Sequence, residues 1–197
     1  MDLGTKVAEV IEASSAELMA QCYKLDQAPP LGSLVKTKGG SWETYAVVYN
    51  VETHSLEPGR RVVARGEEMG TEAEIFRANP QLAKLLSTDF RALVVGHCQG
   101  NGLYHYLPPK PAPIYSFVYV CQLEEVKAFT QSLDFLSLLA DARLPISVDE
   151  VIAACLRYAS RAYPDSQAFL IKAGKELAWL LSSDARRLNS VLKRLRQ

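Results

Sequence analysis

The chain lacks the sequence motifs of the common nucleotide-dependent and zinc-dependent enzymes. Its 197 residues contain no G-x-x-x-x-G-K-[ST] phosphate loop, no G-x-G-x-x-G and no H-E-x-x-H. The first absence excludes nucleotide hydrolysis through a phosphate loop, because that loop supplies the contacts to the phosphates. Histidine is scarce, with only His54, His97 and His105, and a zinc site needs three or four protein ligands. We therefore predict neither a metal nor another cofactor.

The chain also lacks a net charge, a long apolar run and paired cysteines. Lys and Arg total 22, as do Asp and Glu, and a neutral chain argues against nucleic-acid binding driven by overall charge. No run of about 18 apolar residues is present, so we expect no membrane-spanning helix. The first residues show no basic stretch followed by an apolar one, so we expect no signal peptide. The four cysteines have no C-x-x-C spacing, which predicts free thiols and a cytoplasmic protein.

One short motif invites a catalytic interpretation. The segment 96–100, GHCQG, resembles a nucleophile elbow in which Cys98 replaces serine. An elbow needs a helix directly after it and a histidine base further along the chain, but NGLYHYLPP follows and no histidine lies beyond His105. A metal held by His97, Cys98 and His105 would lack a further ligand. We interpret the segment as part of a β-hairpin, and an enzyme that uses Cys98 is the third of three hypotheses.

What the first part of the chain does contain is a regular alternation of short apolar runs and turn residues. This rhythm predicts a small closed or nearly closed β-barrel. The expected strands are 6–13, 17–23, 33–38 and 42–51, and a further short strand is expected at 60–65.

The pattern then changes to helical and back again. A capping box at 71–74 and an Asn-Pro pair that opens a helix at 79–87 predict a helical insert. Strands are expected again at 90–98 and 103–107, joined by a Gly-Asn-Gly turn, and at 114–120.

From residue 122 onward, apolar residues recur with helical spacing. We therefore predict an α+β protein with two domains. A small β-barrel occupies residues 1–121 and carries the helical insert at about 71–88. A helical bundle occupies residues 122–197.

Three segments of the first quarter of the chain carry a family resemblance: VAEVIEASSAEL at 7–18, PLGSLV at 30–35 and YAVVYNV at 45–51. This part of the chain resembles the HAS-type β-barrel of HerA-type DNA-translocating ATPases and of the N-terminal crown of rotary ATP synthase subunits. The chain as a whole is similar to a group of cyanobacterial proteins without an assigned activity. In the HAS-type families the barrel serves assembly and interaction while an attached ATPase performs the chemistry. The resemblance therefore implies an interaction role and no catalytic residue.

The leading functional hypothesis is a non-enzymatic interaction or assembly module that contacts another protein or protein complex, for which an acidic surface is one candidate. Two groups of cations are the expected partner-binding residues, and both are rich in arginine. The alternative is a protein that binds RNA or single-stranded DNA through barrel aromatics and through the C-terminal helix, which carries the larger of these two groups of cations. Tyr115, Phe117 and Tyr119 share one strand face, which we expect to pack against a helix. The expected partner-binding residues are Arg60, Arg61, Arg186, Arg187, Lys193, Arg194 and Arg196.

Overall fold

A computed structural model of the protein describes residues 4–57, 59 and 61–195. In this part of the chain, strands dominate the first half and helices the second, which confirms the predicted α+β class. The elements are β1 (Thr5–Ala13), β2 (Glu17–Cys22), β3 (Leu34–Gly39), β4 (Trp42–Ser55), α1 (Glu72–Ala78), α2 (Leu82–Leu85), β5 (Leu86–Gln99), β6 (Gly102–Tyr104), β7 (Phe117–Val120), α3 (Leu123–Phe129), α4 (Leu136–Ala140), α5 (Val148–Ser160), α6 (Ser166–Leu180) and α7 (Ala185–Leu195).

Six of the strands form a closed antiparallel barrel. Their order is β2-β1-β7-β3-β4-β5, and pairing of β2 with β5 closes the ring. The short β6 extends this ring as a hairpin with the end of β5, in which Gln99 lies opposite Gly102. The two-residue turn at Gly100 and Asn101 is the hairpin that the Gly-Asn-Gly sequence predicts. Closure pairs the backbone groups that an open sheet would expose at its edges.

The barrel interior is filled by small side chains. Because successive side chains on a strand point to opposite faces, each strand contributes every second residue to the interior. Alanine and valine dominate this set, and Phe90 is its largest member. The buried interior cluster consists of Ala8, Val10, Leu18, Ala20, Val35, Ala46, Val48, Phe90, Ala92, Ala112 and Val118.

A larger apolar core lies outside the barrel, between its wall and the helices. The outward side chains of β3, β4 and β5 are buried against α3–α7. This explains why both faces of β4 are apolar: Val47 faces the helices and Val48 faces the barrel interior. The wall contributes Leu34, Tyr45, Val47, Tyr49, Leu93 and Val95 to this core.

Helix α5 crosses close to the chain at Gly32. A Cβ atom at this glycine would lie 2.4 Å from the backbone of Ala154 in α5, and the φ of Gly32 is +80°. No other residue combines this conformation with so small a volume. The turn before β3 therefore sets how closely the central helix approaches the barrel.

Several predicted elements are shorter than expected. The segment 61–65 is irregular and exposed rather than a strand. The helix expected at 79–87 is reduced to α2, because β5 begins already at Leu86 and pairs there with Ser55 of β4. The strand expected at 103–107 ends at Tyr104. In each case, whether the segment pairs with a neighbouring strand decides its structure more than its own sequence pattern does.

Two further corrections concern the boundary between strands and helices. The strand expected at 114–120 begins only at Phe117, because a turn occupies the residues before it. The helical pattern after residue 122 is divided into α3 and α4 by the segment 130–135. The last helix begins as predicted, since Asp184 Oδ1 accepts a hydrogen bond of 2.9 Å from the Arg187 N–H.

Candidate functional site

Two of the predicted partner-binding cations are engaged within the protein. Arg187 Nε donates to Asp149 Oδ1 at 2.7 Å, and its Nη2 donates to the Ala140 carbonyl at 3.0 Å. Arg194 forms an ion pair with Glu150 and donates from Nη1 to the Ser190 carbonyl at 2.9 Å. Both acidic partners lie in the first turn of α5. These two arginines therefore hold α7 against α5 through ion pairs.

The other predicted cations fall into two sets. Arg186 and Lys193 are exposed on α7, and Arg61 is exposed in the irregular segment after β4. Arg60 and Arg196 lie outside the described residues. The structure thus leaves a smaller basic surface on α7 than the sequence suggests.

The predicted aromatic face is exposed rather than packed against a helix. Tyr115 is 75% exposed and Phe117 44%, while Tyr119 is half-buried. The expectation that this face lies under a helix is wrong, because the helices cover the wall formed by β3, β4 and β5. The wall formed by β2, β1 and β7 contributes no residue to that shared core, apart from the adjoining Cys121.

The exposed aromatic residues belong to a longer apolar segment, which we call the aromatic segment (residues 103–117). It connects β6 to β7 and includes the proline-rich PPKPAP. Exposed tyrosines are common at the centres of protein interfaces, because they bury a large area at a small cost in side-chain entropy. Seven large apolar side chains of this segment are exposed: Leu103, Tyr104, Tyr106, Leu107, Ile114, Tyr115 and Phe117.

Tyr115 is held in an unfavourable backbone conformation. Its φ is +65°, a region that L-residues other than glycine, asparagine and aspartate rarely adopt. It occupies the third position of a turn in which the Ser116 N–H donates to the Pro113 carbonyl at 3.2 Å. The Tyr115 N–H also donates to the Val10 carbonyl of β1 at 2.9 Å. The fold therefore imposes strain on a residue whose side chain contributes little to the core, which is a pattern found at functional sites.

Two more tyrosines of the segment are fixed by mutual ring contacts. The Tyr104 and Tyr106 ring centroids are 5.3 Å apart, and each lies close to 5 Å from the ring of His97. His97 is buried, and its Nδ1 lies 3.1 Å from the Tyr106 carbonyl. The two tyrosine rings and the His97 ring therefore form one cluster of mutual contacts.

A cation lies beside the aromatic segment. The Lys6 ammonium is 4.2 Å from the Phe117 ring centroid and 4.9 Å from that of Tyr23. Both rings are about half exposed. The segment itself has no arginine and only Lys110, so a residue distant in the sequence supplies this charge.

The connection between β4 and β5, residues 56–85, is long and has no core of its own. None of its described residues is buried, and Val62 and Val63 are 65% and 67% exposed. Its ends meet, since the Leu56 N–H donates to the Leu85 carbonyl at 2.9 Å. Connections longer than about 12–15 residues in compact domains usually have a function of their own or are disordered.

A cavity of about 600 Å³ lies between the β3–β4 hairpin, the β5–β6 turn and α3. Lys36, 5% exposed, lies on its floor and forms ion pairs with Glu125 and with Glu43, the latter at 3.8 Å. Burial acts to lower the pKa of Lys36, but the hydrogen bond and charge of Glu125, together with Glu43, outweigh it and raise the pKa. The Lys36 ammonium is therefore held between two carboxylates in the lining of this cavity.

The segment GHCQG lies in a β-hairpin, as predicted, and does not form the nucleophile elbow that it resembles. Cys98 lies within β5 instead of at a strand-to-helix turn, and burial followed by the charge of Glu43 raises its pKa. His105 packs against the rings of Phe129 and Phe135, and burial lowers its pKa. Among residues 4–57, 59 and 61–195, no group of three or more His, Cys, Asp or Glu side chains is placed to hold a metal ion.

Comparison with known proteins gives no family for this chain. No protein-family model matches it, and no curated protein is similar to it. The resemblance to the HAS-type barrel therefore stays a prediction. In the part of the chain that the structure describes, none of the helices has both the length and the apolar character needed to cross a membrane.

Proposed function

We propose that this protein is a non-enzymatic interaction or assembly module that binds another protein through the aromatic segment. The observation that carries the proposal is the exposure of seven large apolar side chains in one ordered segment. Exposed aromatic and aliphatic side chains that are grouped in one ordered segment are suited to bury area against a partner. The strained Tyr115 at the tip of a turn adds to the argument, because stability would favour glycine at that position.

The contribution of α7 is secondary in this proposal. Arg187 and Arg194 hold the helix in place, so only Arg186 and Lys193 of the described cations on α7 remain for contact with an acidic partner. Exposed ion pairs contribute about 0–1 kcal/mol each, whereas a buried aromatic anchor can contribute 2 kcal/mol or more. The aromatic segment is therefore expected to determine affinity and α7 to modulate it.

The test compares a variant of the segment with a matched variant elsewhere. Trp179 on α6 is also 75% exposed, which makes Trp179→Ser a control for the loss of an exposed aromatic ring. A stoichiometric partner isolated from native extract should bind wild type and Trp179→Ser equally. Binding should fall at least about tenfold with Tyr106→Ser or Tyr115→Gly, the effect of losing one anchor. Full binding by both segment variants would refute the proposal.

A second candidate function is binding of RNA or single-stranded DNA. The observation that favours it is Lys6 between the exposed rings of Phe117 and Tyr23, because bases stack on aromatic rings beside a cation. Titration of a labelled single-stranded oligonucleotide should then show binding that weakens steeply with salt and is reduced by Lys6→Ala. No binding at low salt would exclude this function.

A further inference from the structure

We infer that acid releases residues 105–112 of the aromatic segment from the helical side of the protein, and that His105 is the group that takes up the proton. At neutral pH the uncharged His105 ring packs against the helical core, and we call this the packed form. In the released form the ring has left that position while the barrel stays folded. The inference concerns the chain alone and does not depend on the function proposed for the segment.

Residues 105–112 are attached to the rest of the protein by side chains more than by the backbone. Strand β6 ends at Tyr104, and in the part of the chain that the structure describes no backbone–backbone hydrogen bond involves residues 105–112. Three of these residues are prolines, which have no N–H to donate. Segments that few backbone hydrogen bonds hold in place open at a small cost in free energy.

His105 supplies the aromatic contact between these residues and the helical core. Its ring centroid lies 4.6 Å from that of Phe129 in α3 and 5.6 Å from that of Phe135, and both phenylalanines are fully buried. Leu107 also lines a cavity with helical residues, but it is 37% exposed. Loss of the His105 contact therefore removes a large part of what keeps this stretch in position.

The surroundings of His105 do not suit a charged ring. Its Nε2 is shielded from solvent and has no hydrogen-bond partner among the described residues. Protonation would add a donor and a positive charge at this nitrogen, and a buried charged group without a partner is strongly unfavourable. Burial accordingly lowers the pKa of His105 from 6.5, and it outweighs the Phe129 backbone and the charge of Asp134, which raise the pKa.

The neighbouring ionisable groups do not offset the burial of the ring. Asp134 lines the same cavity as His105, but it is exposed, so water screens its charge. His97 is the other histidine that contacts this stretch, since its Nδ1 lies 3.1 Å from the Tyr106 carbonyl. Besides the flanking tyrosines, other ionisable side chains near this site include Cys98 on β5, Glu124, Glu125 and Lys127 on α3, and Lys172 and Glu176 on α6.

The pH range of the release follows from the direction of the pKa shift. Above pH 6.5 His105 is neutral in both forms, so pH does not act on the equilibrium between them. As the pH falls below this value, the released form takes up one proton from solvent and the packed form does not. The ratio of released to packed molecules then rises by up to about tenfold per pH unit, until the pKa of the packed form is reached.

The test is an NMR titration of the full chain from about pH 7.5 to about pH 4.5. The His105 ring should titrate below pH 6.5 and lose its nuclear Overhauser contacts with Phe129 and Phe135 at the same midpoint. Contacts across the barrel, such as that between Val35 and Ala46, should persist.

Two variants identify the titrating group. His105→Phe keeps a ring against the helical core but takes up no proton, and His54→Gln is the matched loss of a histidine elsewhere. The ring resonances of Tyr106, next in the chain to His105, should move with the His105 midpoint in wild type and in His54→Gln. They should stay constant in His105→Phe.

Four results would overturn the inference. The first is a His105 midpoint at or above pH 6.5, and the second is contact between His105 and Phe129 that persists after protonation. The third is an unchanged Tyr106 titration in His105→Phe, which would assign the effect to His97. The fourth is loss of the barrel contacts at the same midpoint, which would show general unfolding. The first two need only wild-type protein, and none of the four bears on partner binding at neutral pH.

Discussion

Replacement of Tyr115 by glycine should stabilise the protein relative to replacement by alanine. Both variants lose the same exposed ring, so the difference between them isolates the backbone conformation at φ +65°. A left-handed conformation costs an L-residue about 1–2 kcal/mol, and glycine avoids this cost. Glycine gains about 0.5–1 kcal/mol more conformational entropy on unfolding than alanine does. The expected net advantage of Tyr115→Gly over Tyr115→Ala is about 1 kcal/mol.

Thermal unfolding of the two variants measures this difference. For a chain of this size 1 kcal/mol corresponds to about 2–4 °C in Tm. The matched control is the same pair of replacements at Tyr106, which is exposed and does not have a positive φ. There the order should reverse, with alanine the more stable. If alanine is the more stable at both positions, strain at Tyr115 is refuted, and with it one support for the functional role of the turn.

Three further predictions concern the helical side of the protein. Lys36→Met should lower the free energy of unfolding by about 3 kcal/mol in urea titrations, because it leaves Glu125 without its buried partner; a loss below about 0.5 kcal/mol would show that the pair behaves as a surface contact. A double-mutant cycle of Arg187→Ala and Asp149→Ala should give a coupling energy of about 1 kcal/mol, and no coupling would contradict the anchoring of α7. Burial raises the pKa of Cys155 from 9.0 to about 12, so its contribution to stability is complete below about pH 9 and is lost as the pH rises towards 12. Stability of Cys155→Ala should therefore fall less between these pH values than that of wild type, and equal slopes would contradict the prediction.

The barrel could be predicted from the sequence because its signals are local. Alternating apolar residues define the strands, and the turns around Gly39-Gly40 and Gly100-Asn101 define the β3–β4 and β5–β6 hairpins. The start of β5 at Leu86 could not be predicted, because Ser87, Thr88 and Asp89 are polar residues that become buried only through pairing with β2 and β4.

The candidate sites were harder to predict from the sequence for a similar reason. Whether Arg187 and Arg194 face solvent depends on where Asp149 and Glu150 lie after α7 packs on α5. Tyr115 and Phe117 are exposed because the helices cover the other wall of the barrel. The alternation of side chains along a strand does not indicate which wall the helices will cover. The positive φ of Tyr115 has no sequence signal either, since glycine would be expected at that turn position.

The core shared by the barrel wall and the helices has a consequence for how this protein can evolve. A substitution on the outward face of β4 or β5, at Val47 or Leu93 for example, changes the surface against which the helices pack. The helices must then change with it, because packing defects of a single methylene are destabilising. The two halves of the chain are therefore expected to diversify as one unit. No described residue of the connection between β4 and β5 belongs to either core, so we expect its length and sequence to vary independently of both.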